Sequence, residues 1–324
     1  MIGPIYAPWP ERARRPWGAA ALALAALAYL VSAVPVVLVT IGYAAYQAAT
    51  GADIATIDQR LMTEDALTVF FPALLGQFAT WLVLTLIWLS AWERRTLATI
   101  GLGGERFAAR YLRGLIVGVV IALGLGLAAL VLTPQGAVSN EAASLAEGFD
   151  ASGLFTGAVL GALVFIALGF LFQGAVEEVI FRGWLLSALG SRWGVALAAF
   201  ASCGLFSLLH LHVFASGAVL GTAAIIGITM TGLFFAAYAL SERSLAGVMG
   251  AHGAFNATIV IASMLPRLGR PDADPGIVFG EVLQQATALS RPEDFQAGPQ
   301  IWVQSVVFGA LAIVLALRLM GRKG

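Results

Sequence analysis

Hydrophobic residues in this chain fall in long unbroken blocks rather than in strict alternation or narrow amphipathic stripes. The blocks lie at roughly 18–47, 67–91, 114–133, 155–176 (continuing as helix to about 189), 194–212, 216–240, 245–264 and 301–319. About 20 consecutive apolar residues carry a helix across a bilayer. The pattern therefore predicts an all-α fold, a polytopic transmembrane bundle of about eight spans. The first block is too long for a secretory leader and has no small-residue cleavage site after a short core, so it reads as a span. Pro35 inside it predicts a kink. The fifth to seventh blocks are closely spaced and rich in Gly and Ala, residues that let helices approach closely in lipid.

Composition excludes a soluble chain. Of 324 residues, 60% are hydrophobic and 11% charged, with a mean hydropathy of +0.89. A soluble protein carries about 25% charged residues, so there are too few here to cover a water-facing surface. The net charge is zero, and no nucleic-acid partner is expected. The basic residues are unevenly placed. Arg12, Arg14 and Arg15 precede the first block; Arg94, Arg95, Arg106, Arg110 and Arg113 fill the second connection; Arg192, Arg243, Arg318, Arg322 and Lys323 mark later ends. The alternate connections hold few. By the positive-inside rule both termini are expected in the cytoplasm, which requires an even number of spans and places 134–154 and 265–300 on the opposite face. Arginine supplies all but one of the 18 basic residues, a bias of GC-rich bacterial genomes that points to a bacterial inner membrane. Cys203 is the one cysteine, so an intramolecular disulfide and a cysteine metal cluster are excluded.

The whole of 1–324 reads as a single membrane domain without a soluble module or internal repeat. Residues 92–113 mix Leu97, Ile100, Leu102, Phe107 and Tyr111 with arginines, as expected of a segment lying on the cytoplasmic surface or of an ordinary basic loop. Residues 265–300 hold a candidate short helix at 277–289.

Candidate chemistry is confined to the few polar residues inside the blocks. A charged side chain in hydrocarbon costs at least about 2.5–3.5 kcal/mol on insertion scales, so such residues are paired and functional as a rule. Glu177, Glu178 and Arg182 lie within six positions of one helix. Glu178 precedes Arg182 by four residues, the favourable order for an ion pair on one face, whereas Glu177 is turned by about 100°. One carboxylate is thus expected to be neutralised while the other faces a cavity, where it is placed for general-base work. The blander reading is a structural ion pair between helices. His210 follows Phe206 by one turn and His252 precedes Asn256 by one turn; His212 is rotated away from His210 and reads as a bystander. Counted from the turns, Glu177, His210, His252 and Asn256 all fall near mid-membrane.

These residues carry a family resemblance. Glu177-Glu178-Val-Ile-Phe-Arg182, Phe206-Ser-Leu-Leu-His210 and His252-Gly-Ala-Phe-Asn256 resemble, in order, the EExxxR, FxxxH and HxxxN motifs of the CPBP family, the CAAX-protease and bacteriocin-processing (Abi) group that includes the Ras-converting CAAX prenyl endopeptidase. The resemblance spans about 155–260, which is then the expected catalytic core. It implies an intramembrane endopeptidase acting on a membrane-associated peptide, prenylated CAAX-type or bacterial. Glu177 and His210 would activate water, His252 and Asn256 would stabilise the oxyanion, and Glu178, Arg182 and Phe206 would support them. A cofactor is not favoured, although Glu177, His210 and His252 are also a plausible zinc set. No HExxH, GxGD or GxSG motif of other intramembrane proteases is present. An intramembrane hydrolase must admit water, so a cavity open to the cytoplasm is expected. The competing readings are a proton-coupled transporter, which predicts paired repeats absent here, and a non-catalytic immunity or scaffold protein of the same family.

Overall fold

In the computed structural model residues 5–132, 149–270, 272–287 and 302–321 are described, and these form helices and connections without strands. The helices are α1 (Gly18–Ser32), α2 (Val34–Ala49), α3 (Ile57–Met62), α4 (Phe71–Ile87), α5 (Phe107–Leu132), α6 (Gly157–Glu178), α7 (Leu186–Trp193), α8 (Val195–Leu208), α9 (Ala218–Glu242), α10 (Ala246–Leu268), α11 (Pro275–Thr287) and α12 (Val303–Gly321). Wider π turns extend α4 at both ends, at Ala66–Phe70 and Trp88–Trp92, and join α6 to α7 at Val179–Leu185. The break between α1 and α2 falls at Ala33, two residues before Pro35, whose ring cannot donate into the helix ladder.

Among the described residues seven helical stretches are long and apolar enough to cross a membrane. The fifth block departs from expectation. Its helix, α8, has 14 residues, about 21 Å at 1.5 Å per residue, short of the roughly 30 Å hydrocarbon core. The cause is local. The Nδ1 of His210 takes the Phe206 carbonyl (2.8 Å) that the backbone N–H of His210 would use in a continuing helix, and that N–H turns to Ser207 instead (2.9 Å). A 3-10 turn, Leu211–Ser216, then carries the chain on to Gly217, whose φ of 90° starts α9.

One end of the bundle collects the basic connections. Arg14 N–H reaches the Glu93 carbonyl (2.8 Å), Arg192 donates to the Arg15 and Pro16 carbonyls, Leu245 N–H to Gly101, Arg113 pairs with Glu242 (2.8 Å), and Arg243 donates to Tyr6. At the other end Asp150 N–H meets the Gly269 carbonyl (2.6 Å), and α11 packs on the π turn before α4. Gln304 bonds Thr231 and the Phe308 ring packs tilted against Phe234, so α12 runs parallel to α9 and finishes towards the basic end where the chain starts. Segment 92–113 keeps most of its residues exposed but turns part of itself inward. Glu93 and Arg95 form an ion pair (3.0 Å) with both side chains fully buried; Arg95 also donates to Ser187 and Thr99 and lies on the Trp9 ring, and α5 already begins at Phe107.

The helix contacts beneath the site are glycine-mediated. A Cβ on Gly114 or Gly118 of α5 would run into the α10 backbone at Gly247 and Ala251, and one on Gly174 of α6 would come within 2.6 Å of the Gly253 nitrogen on α10. Small residues spaced four apart are what let lipid-embedded helices pack backbone to backbone.

Candidate active site

Glu177 and Glu178 close the last regular turn of α6, and the π turn that follows carries Arg182. A π turn frees carbonyls from the regular i→i+4 ladder. Two carbonyls of this turn take donors from outside the helix: the Tyr6 hydroxyl donates to the Arg182 carbonyl (2.8 Å), and Ser202 Oγ donates to the Phe181 carbonyl (2.8 Å), which also accepts the Leu186 N–H. Burial, then the nearby Glu178 charge, push the Tyr6 hydroxyl well above its ordinary pKa, so it stays a donor.

Arg182 is buried and engaged through both terminal nitrogens, while its Nε has no hydrogen-bond partner among the described residues. Nη1 donates to Glu178 Oε1 (2.9 Å), Nη2 to the Gly232 carbonyl (3.3 Å), and the guanidinium lies over the Phe206 ring at 4.6 Å. The same Glu178 oxygen is 2.8 Å from His252 Nδ1. The other imidazole nitrogen, Nε2, stands 3.4 Å from Glu177 Oε2. His252 is therefore wedged between the two carboxylates, and a neutral ring can donate to only one of them. The 3.4 Å approach is an ion-pair distance without hydrogen-bond geometry, and Glu177 Oε2 is buried with no hydrogen-bond partner among the described residues.

One turn away a second rung joins the same helices, where Asn256 Nδ2 donates to Gln173 Oε1 (3.0 Å). Gln173 and Glu177 of α6 thus face Asn256 and His252 of α10, and the close approach at Gly174 and Gly253 sets their spacing. Phe206 is the hub of the cluster, with its ring centroid 4.8 Å from His210, 5.1 Å from Phe181 and 6.2 Å from His252.

A cavity of about 260 Å³ lies against Glu177. Gln173, Phe206, His210 and His212 line it together with Tyr29 of α1 and Phe71, Phe78 and Trp81 of α4. Because the Phe206 carbonyl can only accept, His210 Nδ1 is the donor there, and in the neutral ring Nε2 keeps its lone pair. The structure thus brings Glu177 and His210 to one cavity wall. Glu178, Arg182, Phe206 and His252 form the buried support around them, and Asn256 joins through Gln173. His252 and Asn256 are not among the lining residues.

Among the described residues no group of three or more His, Cys, Asp or Glu is arranged to hold a metal ion. In particular Glu177, His210 and His252 do not gather as a zinc set, since both His252 nitrogens are turned to carboxylates. Two residues escaped the sequence reading. Gln173 could have been found, as an uncharged polar residue in an apolar run exactly one turn before Glu177; His212, set aside as a bystander, shares the cavity wall with His210 at a ring separation of 5.8 Å.

The fold and this cluster define the class: a polytopic α-helical membrane protein with a buried carboxylate–histidine site between two glycine-packed helices. Residues 159–258 match the family model described as type II CAAX prenyl endopeptidase Rce1-like, so this part of the chain is similar to the CAAX-type proteases. No curated protein and no solved structure gives a match.

Proposed function

We propose that this chain is an intramembrane endopeptidase in which Glu177 activates a water for attack on a peptide bond. The observation that carries the reading is the unequal fate of two adjacent carboxylates. Glu178 Oε1 is held by Arg182 and His252; Oε2 of each carboxylate lacks a hydrogen-bond partner among the described residues, and of the two it is Glu177 that lines the cavity. Water entering that cavity meets a base at Glu177 and an acceptor at His210 Nε2. Glu177 takes the proton as the water oxygen bonds to the scissile carbonyl carbon, and that proton then passes to the departing amine as the C–N bond breaks. Donors aimed at the developing oxyanion supply much of the remaining rate. The family resemblance gives that task to His252 and Asn256, which stand behind the lining residues Glu177 and Gln173, so the scissile carbonyl must pass these two to reach them. Arg182, Glu178 and Phe206 hold the site. The substrate is a membrane-associated peptide, prenylated CAAX-type or bacterial, in a bacterial inner membrane.

The test is cleavage of a lipidated reporter peptide by the purified full chain. Glu177→Gln should abolish hydrolysis while leaving the helical circular dichroism and thermal unfolding unchanged, since an amide of the same size cannot accept the proton. Full cleavage by that variant would sink the reading. Activity that survives a strong chelator supports the metal-free form; loss restored by zinc replaces it with a metal-dependent one.

A further inference from the structure

A second groove, of about 320 Å³, lies between α1 and α4 on the outside of the bundle. Leu27 and Val31 of α1 and Leu84 and Ile87 of α4 wall it, and three of these are open to the surroundings, at 46% to 56% exposure. Its head is closed by Trp88, Trp92 and Trp184. The Trp88 and Trp92 rings stack at 4.4 Å and 17°. The indole N–H groups of Trp88 and Trp184 both donate to Glu93 Oε1, at 2.9 and 2.8 Å, so two of the three rings are fixed rather than loose. Tryptophan is enriched where hydrocarbon gives way to headgroups.

Beyond the rings stand cations. The Arg14 guanidinium is 5.9 Å over Trp92, and the Arg14–Glu93 backbone bond ties its strand to the head of the groove. Glu93 and Arg95 turn inward and are buried, which leaves Arg94 between them exposed. Among the described residues neither Arg14 nor Arg94 pairs with a carboxylate. The apolar slot adjoins the aromatic collar, the Arg14 guanidinium stands at the collar, and the exposed Arg94 follows Trp92 by two residues. We infer that this groove binds one anionic phospholipid, with an acyl chain in the slot between α1 and α4 and the phosphate against Arg14 and Arg94. A second copy of the chain would bring its own basic end to the same place and add repulsion, and a free phosphate would leave the slot unused.

Native mass spectrometry of the full chain in a neutral detergent tests this, with phosphatidylglycerol and phosphatidylcholine of identical acyl chains. One arginine near a headgroup favours an anionic lipid by about fivefold, so two should give a preference of roughly thirtyfold. Replacing both (Arg14→Gln with Arg94→Gln), at exposed positions that leave the fold intact, should bring the ratio near one. Glycerol phosphate at the same concentration should displace no lipid. Equal binding of the two lipids, a preference that survives the double replacement, displacement by glycerol phosphate, or a dimer in place of a lipid adduct would each overturn the assignment.

Discussion

Adjacent carboxylates of identical intrinsic chemistry end with different partners here because a helix turns about 100° per residue. Glu178 faces Arg182 and His252 Nδ1; Glu177 faces His252 Nε2 and the cavity. Breaking the first pair is therefore the more damaging change to the fold. Arg182→Ala leaves Glu178 fully buried beside a single imidazole, and removing one partner of such a pair costs about 3–5 kcal/mol. Yield and melting temperature should fall sharply, and a companion Glu178→Gln change should recover part of the loss, measured by thermal unfolding in detergent. The i,i+4 pair was legible in the sequence, because both partners lie on one helix and spacing alone decides it. The His252 wedge was not, since spacing within a helix says nothing of which rotamer a residue on another helix adopts. Glu93 and Arg95 were still less visible. They lie in an arginine-rich connection, and only the tertiary placement of Trp88, Trp184 and Ser187 turns that stretch inward.

At the level of elements, the site depends on how closely α6 and α10 approach. Both rungs, Glu177–His252 and Gln173–Asn256, assume a spacing that only glycine at 174 allows. Gly174→Ala should push the helices apart at the cost of overpacking, about 1–3 kcal/mol. Peptide cleavage should then fall further than melting temperature does. Gly124→Ala on α5, where an added Cβ meets nothing within 4 Å, is the matched control and should change neither. If the two substitutions behave alike in the cleavage assay, the spacing argument fails. The hydrophobic blocks announced these helices because bilayer thickness sets their length. They did not announce that α8 stops early, because an apolar run does not record that a histidine ring will compete with its own backbone for a carbonyl. The π turn at Val179–Leu185 likewise has no sequence signature; it becomes legible only when Tyr6 and Ser202 are seen supplying partners to its carbonyls.

Across the whole molecule, the connections gather at two ends, and the basic end holds both the N-terminal strap and the close of α12. With the positive-inside rule, single cysteines in a Cys203→Ser background should label from the cytoplasm at Arg12 and Arg106 and from the opposite side at Asp53 and Asp150. The reverse pattern would invert the chain and with it the face from which peptide reaches Glu177. Either way the cavity wall is shared between the family-matched segment and Tyr29, Phe78 and Trp81, which lie outside it. Tyr6 adds a consequence for the order of synthesis. Its hydroxyl and the carbonyl it satisfies are 176 residues apart in sequence, so at about 5–20 residues per second the strap waits roughly ten to thirty seconds for its partner to leave the ribosome. Until then the first span must sit in the membrane with its leading segment unattached. A bulky fusion at the N-terminus would be carried through that interval and delivered beside the turn that holds Arg182, whereas the same fusion placed after α12 would arrive once the strap had already docked.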